Sequence, residues 1–561
     1  MNISEGRQQI GLYIREAHRR FLMGFALGRV VMPVSFGRLP DRLIVAPTDL
    51  RSGDSFVADE MLEGRFLLAG RMFETGGVSP FDLELPSVEF ANRLHSFGWL
   101  RNCRAAGGDA HCARARSILS DWIAICGRET STIAWEPDNA SRRLIAWLSH
   151  STIVLRGADL KFYRRLLKSI AFHIRFLRAI APYVADSEAR LRCRIALAMA
   201  SLALPASDAT IKRAGRDLDR ELERQICADG GHVSRNPQVL LELLLDLLPL
   251  RQTYINLGHP VPQVLMPTID RMFPALRFFR HQGGELALFN GASASLANEL
   301  ASVLRYDETG GAPFKALPYM GYQRLAVGQT VVIVDTGQPL SEQDSRKAHA
   351  GCLSFEMSSG NHRFVVNSGS PRFAGQNYRQ LARATAAHST VTLDDTSSMH
   401  FSKSEYLGAI VDGGLTKVDV QRLGEGSGAE GIAARHNGYW ESTGLIVERD
   451  IQVNSGGNII RGRDRLVGGD GNDPLSTNAA QAVARFHIHP AIAIEQSGRN
   501  EVRLRAPDGE TWMLSCIDAP IHVEESVFFA DPSGIRLSHQ LEIAFSAAGL
   551  PEIQWVFSKN H

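Results

Sequence analysis

At 561 residues the chain is too long for one ordinary core, and two or three domains are the expectation. A composition of 44% hydrophobic and 22% charged residues excludes disordered and collagen-like classes. A formal net charge of +1 leaves no global basic field for nucleic acid, so any acidic ligand must meet a local cluster of arginines.

The first hundred residues are mixed in pattern and read as an N-terminal extension (1–100) that packs on a helical domain. Acids and arginines interrupt "MNISEGRQQIGLYIREAHRRFLMGFALGRVVM", so it has no signal-peptide pattern, and by sequence the chain is expected in the cytoplasm. No run reaches the roughly 18 uncharged apolar residues of a membrane span.

From 101 to 308 helical periodicity dominates. "ASRRLIAWLSHSTIVL" (140–155) and "KFYRRLLKSIAFHIRFLRAIAPYV" (161–184) repeat apolar groups at i, i+3, i+4 with arginines between. "NPQVLLELLLDLLPLRQTYINLG" (236–258) opens with Asn236 as N-cap and Pro237 at the first helical position, and its leucine density predicts burial on most sides. "VPQVLMPTIDRMFPALRFFRHQGG" (261–284) reads as a helix stopped by Gly283 and Gly284.

From 309 to 561 the period becomes two. "TVVIVDTGQP", "STVTLDDTSS", "ARFHIHP" and "EIQWVFS" alternate, with Gly, Asn, Asp and Pro between them, as in a large antiparallel sandwich. "LGEGSGAEG" (423–431) and "VGGDGNDPLS" (467–476) read as loops. The fold class is therefore α+β and multidomain, helices first and sandwich second. Seven cysteines without a CxxC pair predict reduced, mostly buried thiols.

Three groups of residues carry chemistry. In "DGGHVSRNPQ" two glycines free the backbone ahead of a helix N-terminus, which favours an anion nearby. Arg235 and Asn236 can clamp a carboxylate there, with His232 as base; the plainer alternative is a helix-entry loop with an Asn-Pro cap. In "RATAAHSTVTLDDTSS" (383–398) His388 stands before an alternating strand with Val391 and Leu393 on its buried face, as metal ligand, acid/base group or loop residue. His436 and Tyr439 in "RHNGYW" are exposed-loop candidates for sugar contact, and His487 and His489 share one strand face in a structural role.

Taken in order, "ADGGHVSRNPQ", "RFFRHQGGELALFNG", "GYQRLAVGQTVVIVDTG", "KAHAGCLSFEMSSGNHRFVVNSG", "RATAAHSTV" and "RFHIHP" resemble the heparinase II/III-like family of polysaccharide lyases, over roughly residues 130–560. The resemblance implies an incomplete α/α toroid followed by an antiparallel β-sandwich, with an acidic polysaccharide bound between them and cleaved by β-elimination beside a uronic acid. That reaction needs a neutralised carboxylate, a base for the α-proton and an acid for the leaving oxygen. On this view Arg235, Asn236 and Arg383 meet the carboxylate, and Lys347, Arg280 and His281 also face the substrate.

In the family a tyrosine shares the proton work; here Phe278 and Phe279 stand at the corresponding text, and Tyr254 is the nearest substitute to pair with His232. The resemblance further implies a divalent metal, usually zinc, on His349, Asn367 and His388, with Asn at the position where the family has an acid, and no organic cofactor. It points to the periplasm or cell envelope and leaves a homodimer open. The rival readings are epimerisation or hydrolysis in the same cleft, and glycan binding without turnover.

Overall fold

The computed structural model describes residues 3–31, 40–424, 428–469, 471, 474 and 479–560. The two Gly-rich loops fall partly outside this set, at 425–427 and at 470, 472–473 and 475–478. Helices dominate the chain to Leu304, and antiparallel strands follow from Ala316.

The long helices Pro137–Ser149, Leu160–Ile180, Ser187–Ala203, Asp208–Gln225, Pro237–Asn256 and Leu265–Phe278 follow one another across short connections. Ser187–Ala203 is the central one, buried along its whole length except at Arg194. Pro237–Asn256 starts as its sequence dictates: Asn236 Oδ1 accepts the Gln238 N–H at 2.9 Å, and Pro237 needs no donor at N1. Leu265–Phe278 stops short of the glycine pair. Phe278 and Phe279 are fully buried, Arg280 bridges to Leu286, and His281 turns to hydrogen-bond Ser358 and Glu356 of the sandwich. A tertiary tie ends that helix before Gly283 can.

The sandwich has two sheets. The first runs, in hydrogen-bonded order, Ile521–Asp531, Gly534–Ser546, Gln481–Ile488, His362–Val366, Phe355–Ser359, Thr330–Asp335, Tyr322–Val327 and Ala316–Leu317, with Val391–Leu393 paired beside Gln481–Ile488. The second runs Val418–Leu423, Glu430–His436, Ile446–Val453, Ile459–Val467, Glu552–Asn560, Thr511–Cys516, Glu501–Arg505 and Ala493–Gln496. Between them Val332, Val334, Phe355, Ile451, Trp512 and Trp555 form one core.

The first sheet is covered on both faces. Along Thr330–Asp335, Val332 and Val334 enter the sandwich core, while Val331 and Ile333 join the helical core with Tyr254, Phe279 and Met320. That explains why "TVVIVD" reads as a continuous apolar run. The strand after His388 is likewise buried on both faces, its threonines included: Thr390 Oγ1 donates to Cys352 O at 2.8 Å and Thr392 is capped by Arg485.

The N-terminal helix Ile3–Val31 touches both parts. Arg19 donates to Tyr183 O at 2.6 Å on the helical side, and Tyr13 Oη donates to Ser404 Oγ at 3.0 Å on the sandwich side. Residues from Ala58 onward share the helical core. All seven cysteines are free, and among the described residues no helix is long and apolar enough to cross a membrane.

Candidate active site

The two domains meet where the helix Pro237–Asn256 begins. Gly291, at φ +85°, presses its backbone into this corner. A Cβ placed there would lie 3.5 Å from His349 Nε2, 3.6 Å from Asn236 Nδ2 and 3.1 Å from Lys347 O. The imidazole of His349 and the amide of Asn236 thus converge on one bare stretch of backbone. Asn236 spends its oxygen on the helix cap, which leaves Nδ2 turned to the corner as a donor.

The hydrogen bonds fix the tautomers. His388 Nδ1 lies 2.8 Å from Ala384 O, and a carbonyl only accepts, so Nδ1 carries the proton. In the neutral ring His388 Nε2 is then an acceptor, filled by His349 Nδ1–H at 3.2 Å. His349 is left with its Nε2 lone pair facing Gly291 and Asn236. Burial holds both rings neutral: it pushes His349 well below the usual histidine range, with His388 and Arg383 adding to the effect, and pushes His388 down to about 4. Gly351 makes room for the second ring, since a Cβ there would stand 2.7 Å from His388 Cδ2.

Positive-φ residues flank the corner: Arg235 at +59° and Asn290 at +47°. Both are held by cross-domain bonds. Arg235 donates to Met320 O at 2.7 Å and Gln338 O at 3.2 Å, and pairs with Asp335. Asn290 Nδ2 donates to Tyr322 Oη at 2.8 Å and Asp335 at 3.2 Å. Strain of this kind persists only where the surroundings over-determine it.

Around the corner runs a charged wall. Lys347 pairs with Glu188 at 2.7 Å and Asp186 at 3.2 Å, and Arg142 with Asp138 at 2.7 Å and Glu242 at 2.9 Å. Burial works against the Lys347 ammonium, but the two carboxylates outweigh it and hold its pKa above the ordinary value.

Several sequence-derived candidates take other places. His232 is fully buried with both nitrogens engaged: Nδ1 accepts the Ser234 N–H at 3.0 Å, and Nε2 donates to Gln225 Oε1 at 2.8 Å. Burial pushes it down to about 3, and it has no lone pair to offer a substrate. Arg235 is consumed by Asp335 and two carbonyls. Arg383 donates to Ala348 O, Ser345 O and Ala409 O, so it braces the loop that presents Lys347 and His349 instead of meeting a carboxylate.

Tyr254 Oη sits 3.6 Å from a Cβ built on Gly215 and has no hydrogen-bond partner; burial and then Asp219 raise its pKa. It faces the helix Asp208–Gln225, away from the corner. His281 is locked between Ser358 and Glu356, and Arg280 lies exposed beside Gly284. His436, at the end of the strand Glu430–His436, and Tyr439, in the turn that follows, are both 1% exposed, buried in the sandwich and not open to a sugar. Of the residues expected in the site, Asn236, His349, His388 and Lys347 are the ones brought together.

The expected metal set does not fit well. His349 and His388 supply two nitrogens, but Asn367 Oδ1 accepts the Ser389 N–H at 3.0 Å and its amide faces Glu356 at 3.5 Å. Two imidazoles without a carboxylate or thiolate are a poor donor set for zinc. No group of three or more His, Cys, Asp or Glu assembles to hold an ion among the described residues.

The sandwich matches a family model over residues 309–556, described as heparinase II/III-like, C-terminal. Over those residues the chain is heparinase II/III-like. Crystal structures of heparinase III (TM-score 0.71, 14% identity, 95% of this chain and 88% of that one) and of heparan sulfate lyase HepC from Pedobacter heparinus (TM-score 0.59, 15% identity, 96% and 88%) share the whole heparinase II/III-like fold, α/α toroid plus β-sandwich. FtsZ-localized protein C of Caulobacter vibrioides (strain NA1000 / CB15N) is 29% identical over 514 residues, 87% of this chain and 85% of its own length.

Asn290, Gly291, Tyr322 and Asp335 escape sequence reading as parts of this corner. The Asn-Gly pair in "LFNGAS" is the one local signal, since both residues adopt positive φ.

Proposed function

We propose that the chain binds a uronic-acid-containing polysaccharide between toroid and sandwich and cleaves it by β-elimination. The convergence of Asn236 Nδ2 and the His349 Nε2 lone pair on Gly291 carries this reading. Asn236 Nδ2, with the positive end of the helix it caps, receives the carboxylate and stabilises the charge that develops as the α-proton leaves. His349 Nε2 takes the C5 proton, the C4–C5 double bond forms and the C4–O4 bond breaks. The resulting imidazolium returns the proton to O4, which one ring can do when both atoms lie on the same face of the sugar. His388 holds His349 in the tautomer with its free nitrogen in the corner. Lys347 and its carboxylates border the sugar path. Incubation with heparan sulfate, alginate and glucuronan tests this: ultraviolet absorbance from unsaturated uronate products should rise on at least one polymer, and a flat signal on all three would sink elimination.

A second reading, glycan binding without turnover, draws on the tyrosines. Phe278 and Phe279 replace the expected hydroxyl, Tyr254 faces away, and Tyr322 Oη is committed to Arg235 O at 2.8 Å. Saturable binding of a polymer that survives His349→Gln, with no product from the wild type, would favour it.

A further inference from the structure

Several arginines near the domain junction have carboxylate partners. Arg142 and Arg192 share Asp138 and Glu242, Arg235 has Asp335, and Arg379 has Glu89 at 3.3 Å. Arg93 and Arg372 differ: among the described residues neither has an acidic partner. One comes from each domain, Arg93 from the helix Val88–His95 and Arg372 from the segment that follows Gly369 in the sandwich. Both lie against a single ring, Phe373, with guanidinium carbons 5.6 and 5.2 Å from its centroid. Phe373 rests on the Gly70 turn, where a Cβ would lie 3.3 Å from its Cδ2.

The place of this pair relative to the corner follows from its neighbours. Ser370 N–H donates to Ala292 O at 2.9 Å, so the Arg372 segment leaves directly from the residue after Gly291. On the toroid side Asn139 Nδ2 donates to Asn92 Oδ1 at 2.7 Å, which sets Arg93 beside Arg142 and so beside Glu242. Glu242 is six residues beyond Asn236 on the same helix, about 9 Å along its axis. Arg93 is solvent-exposed, yet surrounding protein, then Arg372 and Arg142, push its pKa down to about 10. Arg93 thus lies open to solvent among like charges, with Glu242 opposing them from beyond ion-pair distance.

We infer that Arg93 and Arg372 form a second anion subsite, farther along the cleft from the Asn236–His349 corner, which clamps an oxyanion on a neighbouring sugar between the two domains. The ligand class is a carboxylate or sulfate on a sugar ring, whose bound charge relieves the repulsion between the guanidiniums while Phe373 offers an apolar edge to the sugar. This rests on the polysaccharide reading above. It also adds a specificity: the polymer must carry a second charge at a fixed spacing from the first.

Calorimetric titration of the full chain with glucuronan and with heparan sulfate, and of Arg93→Gln, Arg372→Gln and the double variant, tests it. Each single change should weaken binding about tenfold, because a charge-assisted bond is lost. The double change should lose less than the product of the two, because both act on one anion. Loss on both polymers assigns the group as carboxylate, and loss on heparan sulfate alone as sulfate. Arg→Lys at either position should retain part of the affinity, which separates charge from misfolding. Wild-type affinity in the double variant overturns the subsite and leaves the polysaccharide reading standing. Thermal stabilisation by free glucuronate or sulfate, present in the wild type and absent from the double variant, supports the subsite even if no polymer binds; absence of that stabilisation together with absence of polymer binding overturns it.

Discussion

Two buried histidines stand near the start of the helix Pro237–Asn256, wired in opposite ways. His232, on the toroid side, has a partner for each nitrogen within its own domain. His349, on the sandwich side, has one nitrogen filled by His388 and the other facing Gly291. Burial alone does not separate them, since both are neutral. What separates them is where the second lone pair goes. A histidine flagged by sequence context becomes a candidate base when its tautomer leaves acceptor capacity over a cleft, and a structural pin when it does not.

The largest expected effect breaks the His349 side. His349→Gln should lower turnover on a cleaved polymer by roughly 10²- to 10⁴-fold, the usual contribution of a positioned base, and cost about 1–3 kcal/mol of stability for the lost bond to His388. Steady-state kinetics with a melting curve on the same sample reads both. Next comes the domain tie beside it. Arg235→Gln leaves Asp335 buried and unpaired and should destabilise the fold by about 3–5 kcal/mol in urea unfolding, showing that this arginine serves the fold before any substrate.

His388→Gln sharpens the relay. It should lower turnover by about tenfold to a hundredfold, and the His349 carbon-bound proton shifts in NMR should report a changed tautomer. If activity is unchanged, the relay does not set the tautomer. On the other side, His232→Gln should cost about 1–3 kcal/mol of stability and leave the turnover of the folded fraction unchanged. A large fall in turnover at full stability would reverse the comparison.

The smallest effect is a slope with pH. His232 and His388 titrate at about 3 and 4 in the folded chain, against about 6.5 unfolded. Between those values the unfolded chain binds more protons, so the contribution is complete above pH 6.5 and is lost as pH falls toward the folded values. Each ring should add about 1.4 kcal/mol per pH unit to the slope of stability in that window. Unfolding series at pH 7, 6 and 5 should show His232→Gln with a shallower slope than the wild type.

The order of domains is legible in the sequence because the hydrophobic period changes once, near residue 310, and because Asn236-Pro237 is a strong helix start. The fate of Arg235 is not. Nothing in "SRNPQ" shows that a positive φ turns its side chain away from the helix end and onto Asp335, a hundred residues later. Tyr254 sits on a helix buried nearly all round, where periodicity gives no facing direction. His349 and His388 are visible as histidines, but their coupling depends on Ala384 O, a backbone group that carries no letter in the sequence. Arg93 and Arg372 come together only in three dimensions, and their lack of partners appears only once every neighbouring carboxylate is assigned.

The sheet that carries Thr330–Asp335 has a consequence for evolution and engineering. Val331 and Ile333 complete the toroid's core while Val332 and Val334 complete the sandwich's, so one strand serves both cores across the boundary seen in sequence. A cut near residue 309 would leave one half without a floor and the other with a bare apolar face, and both halves should aggregate. Exchange of either domain as a module should expose that shared apolar strand, and the two should lose structure together in a denaturant series.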